Sequence, residues 1–304
     1  MISFDNLFKL KAAELGLDKP EGREVTLVSH AHTDHMPTRF KNNALCCSKL
    51  TKKVIALRRK VSEIIDYKSS AIRQLPAGHI LGSSMFLINK KLLYTGDFNT
   101  QGVYCGVAKP IKCETLIMEC TYGSPEYIFP KKQEVAAEIA EYVQKHEESV
   151  IMMLDSFGKP QEICHILERH KVPFTMHSRI ANFNKQLDLN FKYYEPKSSV
   201  FISGMHDAAF LPPSYKRVLL TGWIAQNSRF KQGIDKGFVF SSHSDYPSLI
   251  DFVRKCNPDR VYTHHGPAHK FAVDLRKLGY NAESLDVLMG KQTSSGWQRT
   301  LGGF

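Results

Sequence analysis

Over the first 120 positions, apolar residues fall in short runs separated by polar or glycine-containing stretches. Val25–Val28, Met85–Ile88, Leu92–Thr95 and Thr115–Met118 have the length and composition of strands. The pattern then changes. Gln133–His146 carries apolar residues at helical spacing, Val150–Leu154 is predicted as a buried strand, and Pro160–His170 as a second helix. Val172–Thr175, Val200–Ile202 and Val218–Leu220 are further short strands in this reading. Helices alternating with apolar strands predict a parallel sheet across this middle stretch. The first style then returns, with strand Phe238–Phe240, helix Tyr246–Lys255, strand Val261–Thr263 and helix Pro267–Leu278. The expected organisation is one α/β domain, residues 1–123 and 237–304, interrupted by a smaller α/β unit at 124–236. No internal repeat is visible, and the last dozen residues, rich in Gly, Ser and Thr, are expected to be loosely held.

A chain of 304 residues can bury a substantial core. No apolar run approaches the ~18–20 residues that cross a bilayer. Met1-Ile2-Ser3-Phe4-Asp5 has neither a basic leader nor an apolar signal core, so no membrane association and a cytoplasmic location are expected. The seven cysteines include no CxxC pair, which points away from a disulfide framework or a zinc ribbon. Adjacent Cys46 and Cys47 read as reduced thiols. Lysine and arginine outnumber acids 41 to 30, a net charge of +11 that favours polyanionic partners without specifying one. The basic cluster Lys49, Lys52, Lys53, Arg58, Arg59 and Lys60 has helical spacing, as a solvated helix face would; Lys90-Lys91 and Lys131-Lys132 are smaller clusters.

The chemistry is concentrated after the first clear strand. Val25–Val28 runs into His30, His32, Asp34 and His35, four potential metal donors within six residues. Two imidazoles at i and i+2, then a carboxylate and another imidazole, can divide between adjacent ions, and nitrogen and oxygen donors suit Zn²⁺, Mn²⁺ or Fe²⁺. Asp97, Glu119, His243 and His265 each follow an apolar strand in the same manner, at the carboxyl ends where open α/β sheets place their sites. His79 lies in a glycine-flanked turn before a strand.

HxHxDH at 30–35, GHxLGSxMF at 78–86 and YTGDF at 94–98 together resemble the metallo-β-lactamase superfamily. ECTYG at 119–123, SSHSDY at 241–246 and HHG at 264–266 more narrowly resemble its β-CASP nucleases, which include pre-mRNA 3′-end endonucleases, RNases J and Artemis-type DNA repair enzymes. The resemblance covers the whole chain. It implies a metallo-β-lactamase αββα sandwich with 124–236 as a compact α/β β-CASP insertion. It further implies two divalent ions, zinc or manganese, the first held by His30, His32 and His79, the second by Asp34, His35 and His265, with Asp97 bridging. His243, held by Glu119, would act as general acid beside the leaving group, so that His243, Glu119, Asp97 and Asp34 make up the catalytic set. His264 and His269 flank His265 and are expected not to be ligands; His165, His177 and His206 fall in the insertion as core or surface residues, His177 with the option of facing the cleft.

Leu154 to Glu162 reads as a strand, a glycine turn and a helix start, a combination that binds phosphate through helix N-terminal amides. Gly158, Lys159 and Gln161 are therefore expected substrate contacts, with Thr221-Gly222-Trp223 through Arg229 and Lys231 as a weaker part of the same groove. Glu119–Tyr127, Thr221–Trp223 and Gly237–Pro247 are most similar to compact exonucleases encoded beside DNA ligases and helicases. That likeness favours a 5′ exonuclease on single-stranded DNA in repair, with ligase or helicase as associates. An RNA-processing nuclease is the nearest rival. A non-catalytic nucleic-acid-binding subunit is disfavoured by the intact donor set, and a small-molecule hydrolase by the insertion and the SSHSD segment.

Overall fold

The computed structural model describes residues 9–10, 13–18, 25–37, 44–59, 64–146, 148–153, 156–226 and 232–288. Lys60, Leu154, Arg229, Lys231 and the C-terminal dozen lie outside the described residues. Three sheets organise the described residues. The first runs Lys9–Leu10, Ala13–Leu17, Val25–Leu27, Ala44–Cys46 and Ile65–Asp66 in spatial order. The second runs Ala282–Ser284, Arg260–His264, Thr115–Glu119, Leu92–Tyr94, Ser84–Ile88 and Ile72–Pro76.

These two sheets face each other across Val25, Leu27, Phe86, Leu92, Tyr94, Ile117 and Tyr262, all buried. Helix Lys49–Arg59 closes the outer side of the first sheet through Val54 and Ile55, against Val28 and Leu45. Helices Tyr246–Cys256 and Ala268–Lys277 close the outer side of the second. The former buries Leu249, Phe252, Val253 and Cys256, a single stripe at i, i+3, i+4 and i+7. This is the αββα layering that the motif resemblance implied.

The middle stretch forms a third sheet, Thr175–Met176, Val200–Gly204, Ser149–Met153, Lys216–Leu220 and Lys236–Phe238, with every pairing parallel as its β/α alternation predicts. Helices Lys132–Lys145 and Lys159–Arg169 bury Val135, Ile139, Ile163 and Leu167 against it.

Several expected elements are corrected. The final strand of the third sheet is Lys236–Phe238, two residues earlier than Phe238–Phe240, so a loop separates it from His243. Val172–Thr175 is a strand only at Thr175–Met176, because Pro173 lacks an amide donor and Val172 closes the preceding helix through Leu167 O. Strand Ile72–Pro76 escaped prediction because it carries Arg73, Gln74 and Pro76 on a sheet edge, and helix Ser178–Gln186 because of its polar composition. Among the described residues, no helix is long and apolar enough to cross a membrane.

One contact sets the site's scaffold. Gly96 ends the strand Leu92–Tyr94 turn at φ +52, and a Cβ there would lie 2.3 Å from Ser29 Cβ. Glycine lets the loop bearing Asp97 close onto the loop bearing His30. Gly96→Ala is expected to destabilise the fold by about 2–4 kcal/mol, from a left-handed backbone combined with a clash. Urea denaturation measures this, and a midpoint matching the wild type would contradict it.

Candidate metal centre

His30 and His32 leave the Val25–Leu27 strand on an irregular segment in which His35 N donates to His32 O, turning the chain so that His30, His32 and His35 converge. His79 arrives from the turn between Ile72–Pro76 and Ser84–Ile88, with its amide and that of Ile80 donating to Ser83 Oγ. The donor atoms His30 Nε2 and His79 Nε2 each lie 3.1 Å from His32 Nδ1. Asp97, 4% exposed, sits at the centre: its Oδ2 is 3.6 Å from His30 Nε2, 3.3 Å from His35 Nε2 and 3.7 Å from His79 Nε2. Its Oδ1 is 3.7 Å from His265 Nδ1.

Donor atoms thus gather in three adjoining groups that share Asp97, one with His30, His32 and His79, the second with His35 and His265, and a third with Glu119 and His243, each within 4.8 Å. Asp34 stands at the rim of the second, exposed, its Oδ2 3.5 Å from His35 Nε2. His264 is in none of these groups. Its ring stacks on Tyr94 at 5.7 Å, and burial together with neighbouring His265 holds its pKa well below the ordinary histidine value.

The ring nitrogen that each inner histidine turns away from the cluster has an acceptor. His30 Nδ1 donates to Ser29 Oγ at 2.9 Å, His79 Nδ1 to Ser242 O at 2.9 Å, His32 Nε2 to Phe157 O at 3.2 Å, and His35 Nδ1 to Asp18 Oδ2 at 2.7 Å. That pattern orients the rings and leaves the remaining nitrogen of each of the four facing one volume. Among the described residues, His35 Nε2 and Asp97 Oδ1 are buried without a hydrogen-bond partner, as atoms reserved for an ion would be. Borderline N/O donors of this kind fit divalent zinc or manganese.

Asp18 holds the first sheet to this centre and was not anticipated from the sequence. Its carboxylate, 6% exposed, accepts from Ser29 N at 2.6 Å, Ser29 Oγ at 2.9 Å, His35 Nδ1 and Tyr94 OH at 2.5 Å. It ends the strand Ala13–Leu17, so the rule that picked out Asp97 could have found it.

Electrostatics follow from burial and from Asp97. Burial, then His35 and His79, push His30 well below the ordinary histidine pKa; burial, then His243, do the same to His79. Burial also pushes His35 down, but Asp97 and Asp18 outweigh it and leave its pKa well raised. For Asp97, burial favours the neutral acid, yet His35 and His243 overturn this and hold the carboxyl well below its usual range.

His243 and Glu119 form an adjacent pair, His243 Nδ1 donating to Glu119 Oε1 at 2.8 Å. Glu119, fully buried, also accepts from Phe98 N at 3.3 Å and Thr121 N at 2.7 Å. The loop is tied down by Asn99 Nδ2 donating to Ser241 O and by Asp245, which caps the Tyr246–Cys256 helix through Ser248 N. The ring of His243 lies 4.5 Å from that of His79. Burial lowers its pKa, but Glu119 and then Asp97 outweigh that and raise it.

A cavity of ≈ 250 Å³ opens over this group, lined by His32, Asp34, His79, His243, Lys159 and Trp223 among others. Gly158, at φ +113, lies against Ile80 and His32, where a Cβ would come within 2.5 Å of Ile80 Cγ2. Gln161 is a correction. It is fully buried, its Oε1 accepts from Gly158 N at 2.6 Å, and its Nε2 donates to Ser156 O and Asn184 Oδ1. It shapes the turn rather than facing the cleft, and it engages the Gly158 amide expected to meet phosphate. His165 stacks on Tyr104, while His177 caps the Ser178–Gln186 helix.

Comparison with known proteins agrees with this architecture. Residues 234–284 match the family model described as a Zn-dependent metallo-hydrolase RNA specificity domain. The chain is 29% identical over 298 residues to a probable DNA ligase of Opitutus terrae, covering 88% of this chain and 29% of that protein. It is 26% identical over 298 residues to an RNase J-like protein of Methanocaldococcus jannaschii, covering 72% and 68%. It is 31% identical over 291 residues to the DNA cross-link repair 1A protein of Gallus gallus, covering 79% and 30%. The chain spans less than a third of the ligase and cross-link repair relatives. It belongs to the β-CASP branch of the metallo-β-lactamase superfamily.

Two substitutions probe the centre. Asp97→Ala is expected to reduce bound metal sharply, since every donor group loses its shared member; metal analysis of purified protein reads it, and unchanged content would refute the grouping. Asp18→Asn is expected to weaken metal affinity roughly 10–100-fold through the misoriented His35. Competition with a chelating dye measures that loss.

Proposed function

We propose that the protein is a metal-dependent nuclease, a 5′ exonuclease on single-stranded DNA in repair. The observation that carries the nuclease reading is the pair of imidazole-rich donor groups sharing Asp97 with the His243–Glu119 pair alongside, His32, His79 and His243 lining one cleft. His30, His32, His79 and Asp97 would hold one ion, and Asp34, His35, His265 and Asp97 the other. Such ions supply Lewis acidity and an activated water at neutral pH. His243, kept protonated by Glu119, delivers its proton to the departing sugar oxygen. Lys159, whose Nζ donates to Leu220 O at the cleft wall, adds positive charge for the phosphate, and half-buried Trp223 offers a face for a base.

Relatives named as a DNA ligase and a DNA cross-link repair protein support DNA, and the ligase relative's greater length supports a ligase partner. The RNase J-like relative and the RNA-specificity family match support the second reading, an RNA-processing nuclease with the same centre. In either case residues 1–123 and 237–304 form the metal-bearing domain and 124–236 the insertion, in a cytoplasmic protein.

His243→Ala is expected to keep its metal and to slow hydrolysis by roughly 10²–10⁴-fold; loss of the metal instead would make His243 a ligand. An acid raised above its ordinary pKa stays protonated to higher pH, so the rate should fall as pH rises through that raised value. Glu119→Gln removes the raising charge and is expected to move this fall to lower pH, as a pH–rate profile would read. Matched single strands of DNA and RNA, labelled at either end and supplied with Mn²⁺ or Zn²⁺, test the substrate. Release of short 5′-labelled DNA products is expected, whereas preferential cutting of RNA would favour the second reading.

A further inference from the structure

On the other side of the His32–Asp34 segment lies a second cavity, of ≈ 460 Å³. Thr33 lines it, while its neighbours His32 and Asp34 line the cleft over the metal centre. Ser156 lines it too, one residue before Phe157, whose carbonyl holds His32. The two cavities therefore share a thin wall made of the metal-donor segment and the turn behind it. The second also sits at the carboxyl ends of the parallel strands Ser149–Met153, Thr175–Met176 and Val200–Gly204, through Met153, His177 and Gly204. Parallel sheets present ligand sites at these ends.

Its lining is strongly basic. Arg58, Arg59 and Arg179 reach it, with His177 and His206. The acid in this lining, Asp207, already lies 3.7 Å from both His177 and Arg179. Arg58 is held in place: Nη1 donates to Thr33 Oγ1 at 3.2 Å, and its guanidinium lies 5.3 Å from the Phe183 ring and 6.0 Å from that of Phe157. Arg59 Nε is buried without a hydrogen-bond partner among the described residues. Three guanidinium groups line this one concave space against a single carboxylate, and their planar forks match phosphate oxygens. Met36, Ile180 and Phe183 give the same cavity an apolar side, suited to sugar and base.

We propose that this cavity is a backbone subsite for single-stranded nucleic acid, in which Arg58, Arg59 and Arg179 hold phosphates of the strand whose scissile phosphate faces Asp97. The proposal rests on the nuclease reading and extends it: the strand is gripped on both sides of the His32–Asp34 segment. A free phosphate or mononucleotide shares the chemistry. The strand is the occupant because the cavity adjoins the metal centre through Thr33 and Ser156.

The test is the salt dependence of binding. With metal present and His243→Ala as background to prevent cleavage, anisotropy gives the affinity for a labelled single strand across a range of salt. Arg59→Gln with Arg179→Gln is expected to weaken binding at least tenfold and to lower the slope of log K against log salt by about 0.7 for each lost contact. Arg59→Lys with Arg179→Lys is expected to restore most of that slope, which a purely structural role would not require. Lys91→Gln with Lys255→Gln removes the same charge elsewhere and is expected to keep the wild-type slope. Inorganic phosphate or a mononucleotide displacing the strand at micromolar concentration would overturn the assignment in favour of a small-anion site. A protein that cleaves single strands, with its slope unchanged by the double glutamine variant, would refute this subsite alone. One that neither binds nor cleaves any strand would refute the nuclease reading together with it.

Discussion

Everything at this centre depends on a buried carboxylate. Asp97 lies 4% exposed among imidazoles, an arrangement that low-dielectric surroundings penalise unless opposite charge is close and well oriented. The chain answers by tethering its neighbours. Gly96 permits close approach to the Ser29 loop, Asp18 holds His35 and Ser29, and Ser242 and Phe157 carbonyls hold His79 and His32. The contacts join both sheets of the sandwich and the turn before helix Lys159–Arg169, so the centre also fastens the third sheet to the first two.

Much of this was legible in the sequence, for a physical reason. A ligand-type residue directly after an apolar run marks the carboxyl end of a strand, and a layered α/β fold brings such ends together. His30, Asp97, Glu119 and His265 were located by that rule, and the structure brings them together with His32, His35 and His79. Asp18 obeys it as well, but its strand, Ala-Glu-Leu-Gly-Leu, is interrupted by Glu14 and Gly16 and lacks a clear apolar signature. His243 was found through a run thought to be its own strand, whereas the strand ends at Phe238 and the loop is set by a hydrogen bond from Asn99 Nδ2 to Ser241 O and one that Asp245 accepts from Ser248 N. Side-chain contacts of that sort leave no periodic trace. Gln161 shows the converse error: position beside a glycine turn suggested a substrate contact, while its amide folds back to make the turn.

The same tethering explains where a substrate could lie. The cleft of Lys159 and Trp223 and the arginine-lined cavity beyond Thr33 flank one donor segment. The net charge of +11 acquires a local meaning there, since Arg58, Arg59 and Arg179 come from a helix of the sandwich and a helix of the middle sheet that are distant in sequence. A residue pattern read along the chain assigns Arg58 and Arg59 to a solvated face, and the fold turns them toward the cavity.

The most direct test of the central claim is crystallography of manganese-loaded protein with anomalous scattering recorded at the metal edge. Two peaks ~3.5–4 Å apart, with Asp97 between them, are predicted by the shared-carboxylate account. A single peak away from Asp97, or none in protein that hydrolyses phosphodiesters, would contradict it.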